Sequence, residues 1–200
     1  MLTPLKLLKA AVEKFEKGGA RYCLVGGHAA SLYRAQERLT KDVDFAICAD
    51  PPTESQAHAE LVVSALGLTP MVGFIPPGAA EPKRRSVCMV TSVPVLGESK
   101  GLIDILLPDL PWVSKAVERA QHNRLNLGFA AVPVITPEDL VIAKCYALRN
   151  SPDRFQDLDD LKEIFISVKD LDRDYLEPSL QAHDLVIPEQ VKGFLPWAKR

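Results

Sequence analysis

Arg38, Thr40, Asp42 and Asp44 recur at every second position of the stretch RLTKDVDF. In an extended strand such residues point the same way, with a rise of about 6.6 Å between neighbours on one face. Two carboxylates at that spacing can bracket divalent ions roughly 3.5–4 Å apart, as phosphoryl transfer requires. An arginine on the same face can meet a triphosphate with two parallel hydrogen bonds. The plain alternative is the solvent side of an edge strand, with Val43, Phe45 and Ile47 as its apolar face. The doublet alone does not choose between the two.

A third acid shifts the balance. Asp104 stands alone inside GLIDILL, a run with the look of a buried strand. A carboxylate there is costly to desolvate unless it is paired, hydrogen-bonded or bound to a metal. Three acids on two strands suit Mg²⁺, which takes oxygen ligands, keeps several waters and needs few carboxylates. Ahead of them lies Gly26-Gly27, where a tight strand-to-helix turn would expose backbone amides of the kind that bind phosphate. Alone, that pair signals only a turn. No Gly-x-Gly-x-x-Gly and no Gly-Lys-Ser/Thr occurs, which weighs against a nicotinamide oxidoreductase and a P-loop enzyme.

Lys144 is the one charge in LVIAKCYAL, on a helical stripe with Leu140, Val141 and Leu148. Such a lysine either snorkels to water or meets an anion in a cleft. Asp157, Asp159 and Asp160 lie in an acidic helix whose simplest reading is a solvated face, and Lys83-Arg84-Arg85 reads first as ordinary surface charge.

The elements that must hold these residues can be read from periodicity and punctuation. Residues 4–17 carry an apolar stripe with Thr3 as cap and Pro4 in the first turn, stopped by Gly18-Gly19. A strand over 21–26, a helix over about 28–36, a strand over 42–48 and a helix over about 53–66 follow. Residues 68–82, with four prolines and two glycines, read as loop. Strands are expected over 84–93 and 101–108, joined through VLGESKG, and a short one near 130–135. Thr136-Pro137-Glu138-Asp139 is a helix start, and Ser151-Pro152-Asp153 opens another helix. The chain beyond Pro188 is poorly patterned. The expected architecture is α+β: a mixed sheet flanked by helices over residues 1–135, followed by a C-terminal helical region over 136–200 that packs on it.

Bulk properties exclude several classes. Residues 1–100 hold 12 Lys and Arg against 10 Asp and Glu, and residues 101–200 hold 12 against 16, so the chain is no constitutive polyanion binder. Cys23, Cys48, Cys88 and Cys145 lie far apart with no Cys-x-x-Cys, and the four histidines have no ligand spacing, which points away from disulfides and zinc. No apolar stretch is long enough to span a bilayer, and the lysines near the N-terminus leave no signal-peptide core; a cytoplasmic location is expected.

The phrase GGHAASLYRAQERLTKDVDF, followed by a lone Asp104 in a later apolar strand, resembles the nucleotidyltransferase superfamily typified by DNA polymerase beta. It is most similar to the branch of abortive-infection and type IV toxin nucleotidyltransferases. The later stretch ITPEDLVIAKCYALRNSPDRFQDLDDL is similar to that branch's helical half, so the resemblance spans about residues 20–165. It implies an α/β-type catalytic core that moves a nucleoside monophosphate from an NTP to a hydroxyl, with two Mg²⁺ ions. Gly26 and Gly27 would hold the triphosphate, and Asp42 and Asp44 the metal. Asp104 would be the third carboxylate, a metal ligand that deprotonates or orients the acceptor. Arg38, Thr40 and Lys144 would meet the nucleotide, and Asp157 would support the site. The implied acceptor is a tRNA 3′ end, with a protein or small-molecule hydroxyl behind it, and the implied partner is an antitoxin protein. Leu32-Tyr33-Arg34-Ala35 departs from the pattern, since relatives often carry a glycine there, and His28 fills a variable position. The competing reading keeps the fold without the chemistry, as a nucleotide-binding or partner-binding module.

Overall fold

The computed structural model describes residues 3–36, 40–74, 87–93 and 102–198. The chain runs α1 (Pro4–Gly18), β1 (Arg21–Leu24), α2 (Gly26–Leu32), β2 (Val43–Cys48), α3 (Ser55–Ala65), β3 (Thr69–Phe74), β4 (Val87–Val93), β5 (Ile103–Leu106), α4 (Val113–Ala120), β6 (Arg124–Asn126), β7 (Ala131–Pro133), α5 (Pro137–Asn150), α6 (Phe155–Ser167), α7 (Arg173–Ala182) and the single-turn α8 (Glu189–Lys192). Helix α1 forms as its caps dictate. The Thr3 hydroxyl accepts the Lys6 N–H, Pro4 opens the first turn, and Gly19, at φ 72°, ends the helix. Its stripe of Leu7, Leu8, Ala11, Val12 and Phe15 is buried.

Five strands form one mixed sheet in the order β1-β2-β5-β4-β3. Only β2 and β5 are parallel; the other neighbours are antiparallel. Strand β2 is therefore interior, which removes the edge-strand reading for Asp44, the acid it holds. Its alternation separates two environments. Phe45 packs at an angle against the rings of Phe15 of α1 and Tyr22 of β1, so Val43, Phe45 and Ile47 face the packed side and Asp44 faces the other. The register sets Asp44 directly opposite Asp104.

Residues 69–74, expected as loop, form the edge strand β3, with Pro70 tolerated because an edge need not use every N–H. The helix expected over 28–36 runs from 26 to 32, and the one expected from Ser151 begins at Phe155. The chain beyond Pro188 holds the one turn of α8. The helices α4 and α7 carried no clear sequence signal, the first being eight residues long and the second having Pro178 inside it. Cys23, Cys48 and Cys145 are buried and Cys88 is half-buried, all as free thiols. No helix among the described residues is long and apolar enough to cross a membrane.

Buried apolar side chains from Leu7 to Val191 form one cluster, so the C-terminal helices share their core with the sheet. The joint is also polar. After β7 the Ile135 N–H donates to Leu24 O at the end of β1 (3.0 Å), which seats the start of α5 beside the glycine turn. The Thr136 cap accepts the Asp139 N–H. Glu138 and Asp139, both buried, receive Arg119 of α4 at 3.3 and 2.9 Å, and Tyr175 of α7 donates to Asp139 (2.6 Å) while its ring lies under the guanidinium. Removing the cation would leave two buried carboxylates without it. Arg119→Ala should cost about 3–5 kcal/mol of unfolding free energy in a denaturant titration, well above a surface arginine.

Candidate active site

The chain turns from β1 into α2 at Val25-Gly26-Gly27, and two observations explain the glycines. Gly26 sits at φ 62°, a conformation side chains rarely adopt, and a Cβ built there would lie 2.1 Å from Asp44 Oδ2. The Val25 N–H donates to Asp44 O (2.9 Å) and the Gly27 N–H to Asp44 Oδ2 (3.4 Å). The turn is thus shaped around Asp44.

Asp42 lies in a bend one residue before β2, and the Thr40 hydroxyl donates to its carbonyl (3.2 Å). The expected extension of the strand back through Thr40 is therefore not formed; a local side-chain-to-backbone bond bends the chain instead. Arg38, expected on the same face, and the Lys83-Arg84-Arg85 run lie outside the described residues. Asp104, half-buried between fully buried Ile103 and Ile105, takes a short hydrogen bond from Thr91, its partner on β4.

These residues line one cleft of about 650 Å³. Gly26, Gly27, Thr40, Asp42, Asp44 and Asp104 form one wall, and Lys144, Arg154 and Asp157 come from α5 and the start of α6. The acids feel one another. Burial, and then the charge of Asp104, push the Asp44 carboxyl up to about 6; the Gly27 N–H and Lys144 oppose this more weakly. Asp104 is also raised, by burial first and by Asp42, against the hydrogen bond from Thr91.

Lys144 neither snorkels nor stands free. It is 5% exposed and donates to Asp157 Oδ1 (2.8 Å) and Asp160 Oδ2 (2.6 Å). Asp160 is fully buried and also takes Arg34 Nη1 (2.7 Å), while the second carboxylate oxygen of Asp157 takes Arg154. Of the α6 acids only Asp159 is exposed, and it too receives Arg34 (2.8 Å). The acidic helix is therefore not a solvated face. Its buried carboxylates face two helices' worth of cations, whose charge keeps Asp157 below the ordinary carboxylate range despite burial. Asp160, read as part of a solvated face, and Arg34 and Arg154 were not among the expected site residues. The only trace was the Asp-x-x-Asp spacing, which puts Asp157 and Asp160 on one face of α6. His28 is half-buried in the first turn of α2.

The donor set suits a hard cation: three carboxylates, two of them raised by burial first and by a neighbouring carboxylate after it, which a divalent ion would relieve. Among the described residues no group of three or more acidic, histidine or cysteine side chains is drawn together closely enough to hold an ion as it stands. Asp42, Asp44 and Asp104 thus offer oxygen ligands of the right type along one cleft without forming a metal site.

No family model and no curated protein matches the chain. Solved structures do. The antibiotic-resistance factor ANT(2'')-Ia in solution aligns with TM-score 0.54 at 14% identity, over 90% of each chain. A crystal structure of ANT(2")-Ia with adenylyl-2"-tobramycin gives 0.55 at 14% identity, over 90% of this chain and 96% of the other. An antigenic nucleotidyltransferase-like protein from Paracoccidioides brasiliensis gives 0.50 at 14% identity, over 96% and 98%.

Two outcomes follow for the glycine turn and the acids. Gly26→Ala must displace Asp44 and strain the turn, so it should destabilise the protein by roughly 1–3 kcal/mol in a denaturant titration. Asp44 has a folded pKa above its unfolded one, so its contribution is present at low pH and is lost as pH rises through about 6. Asp44→Asn should therefore stabilise the chelator-treated protein at about pH 7.5, by on the order of 1–3 kcal/mol, and have little effect near pH 4. Denaturant midpoints of both proteins at the two pH values check this.

Proposed function

From a chain that has the nucleotidyltransferase fold, we propose a Mg²⁺-dependent nucleotidyltransferase that moves a nucleoside monophosphate from an NTP to a hydroxyl and releases pyrophosphate. The observation that carries this reading is the pairing of Asp44 with Asp104 in a cleft that Asp42, the glycine turn and Lys144 also line. A pure binding module has no use for three carboxylates that repel one another.

Asp42, Asp44 and Asp104 would hold Mg²⁺, which supplies charge stabilisation for the phosphates when bound. Asp104 accepts the proton of the acceptor hydroxyl. Its raised affinity for a proton, caused by burial and by Asp42, suits it as a base. The acceptor oxygen forms a bond to the α-phosphorus as the bond to the pyrophosphate oxygen breaks. Gly26 and Gly27 would hold the triphosphate, as the resemblance implies, and Thr40 and Arg38 would meet the nucleotide beside them. Lys144 and Arg154 add the cations. Both now share Asp157, whose two oxygens take one each, much as a phosphate would. An incoming triphosphate competes with Asp157 for them, which makes Arg154 a nucleotide contact beside Lys144. Asp157 and Asp160 position Lys144.

The toxin branch would bring a tRNA 3′ end as acceptor and an antitoxin as partner. A phosphodiester backbone needs cations, and those of the described cleft, Lys144 and Arg154, are the ones the incoming triphosphate takes from Asp157. The cleft supports a small acceptor better.

Incubation with each α-labelled NTP, Mg²⁺ and mixed acceptors should transfer label in the wild type and not in Asp42→Ala. Nucleotide binding without transfer to RNA, protein or small molecules would establish the binding module instead. In the active system Asp104→Asn should lower kcat by about 10²–10⁴. Arg154→Gln should raise the KM for NTP roughly three- to tenfold with kcat nearly unchanged.

A further inference from the structure

The cleft changes character across the sheet. On the β1 side lie the glycine turn and Asp44, within reach of the Lys144 charge, with Arg154 and Asp157 above. Asp104 marks the boundary. On β5, Leu106 shares the face of Asp104. On the neighbouring β4, Thr91 pairs with Asp104 and Met89 pairs with Leu106. Leu110 and Trp112, on the turn from β5 towards α4, complete this side. Met89 and Leu106 thus continue the sheet face from Asp104 towards β4, Leu110 and Trp112 line the same cleft, and none of the four carries a charge.

We propose that this apolar wall is the acceptor subsite, and that the acceptor is a small molecule bearing an apolar flank next to its reacting hydroxyl. The inference rests on the nucleotidyltransferase reading and narrows it. A triphosphate belongs at the glycine and lysine end, so the nucleophile approaches from the Asp104 side. Its oxygen bonds to the α-phosphorus, pyrophosphate leaves, and the hydroxyl proton passes to Asp104. Whatever surrounds that hydroxyl then rests on Met89, Leu106, Leu110 and Trp112. A polycation or a nucleic acid would lose water there without gaining an ionic partner among these residues. An apolar flank gains by burial against Met89 and Leu106, which are partly exposed, beside the already buried Leu110 and Trp112. The cleft, about 650 Å³, has the size of small-ligand sites.

The test uses the full chain with Mg²⁺, α-labelled NTP and, in parallel, a small-molecule cell extract, total RNA and the polycation tobramycin. The expected product is a labelled small molecule that a reversed-phase column retains longer than the free nucleotide. Leu106→Asp and Met89→Lys should each raise the KM of the purified acceptor about tenfold or more, with the Kd for NTP, read by titration calorimetry, little changed. Label transferred to RNA or to tobramycin, or retained at unchanged acceptor KM in both variants, overturns the subsite while leaving the transferase reading intact. Nucleotide binding with no transfer to any acceptor overturns the transferase reading and this inference with it.

Discussion

The parallel pairing of β2 with β5 puts two carboxylates face to face in a partly dry cleft, and much of the molecule is organised around that confrontation. Asp44 and Asp104 cannot both be comfortably charged there without a counterion. The described residues supply only partial relief: one backbone N–H from Gly27, one hydroxyl from Thr91, and the more distant charge of Lys144. Such arrangements cost stability, and chains keep them at sites where the charge is used. Gly26 shows how closely the backbone is fitted to this group, because no larger residue could sit against the Asp44 carboxyl.

A second set of charges holds the other wall. Arg34 after α2, Lys144 on α5, and Asp157 and Asp160 on α6 form a chain of contacts at 2.6–2.8 Å, reaching Arg154 at the rim. Buried ion pairs seldom add much net stability, since desolvation offsets the attraction. They do penalise misplacement severely, because a slipped helix would leave Asp160 unpaired with no water to reach it. The network therefore sets where α6 lies on α5 and where Lys144 sits relative to the sheet. Asp157 closes the circuit: its carboxylate holds the two cations that a triphosphate would take. Beyond Asp104 the same sheet face carries Leu106 and Met89, the wall of the proposed acceptor subsite.

The legible parts of the sequence were those governed by short-range rules. The caps of α1 and α5, the alternation of β2, the glycine turn and the isolated acid in β5 all depend on neighbours within a few positions. They led to α+β architecture and to the acids of the cleft before any contact was known. Where a rule competed with a longer-range one, the local reading failed. Proline and glycine in 69–74 spoke for loop, yet an edge strand accommodates both. The acids of α6 spoke for solvent, yet arginine and lysine from distant segments meet them.

By itself, then, the sequence determined the types of groups, their strand and helix settings, and a resemblance to a family that the fold supports. Only the tertiary structure decided which side chains share a space. It put Asp104 opposite Asp44 rather than merely in a buried strand, gave Lys144 its carboxylates from α6, brought Arg34 and Arg154 into the network, and left an apolar wall beside the proposed base. The reason is physical: caps, turns and strand alternation are encoded within a few residues, whereas strand pairing and a charge's partner are chosen by how elements pack, across 126 positions for Arg34 and Asp160.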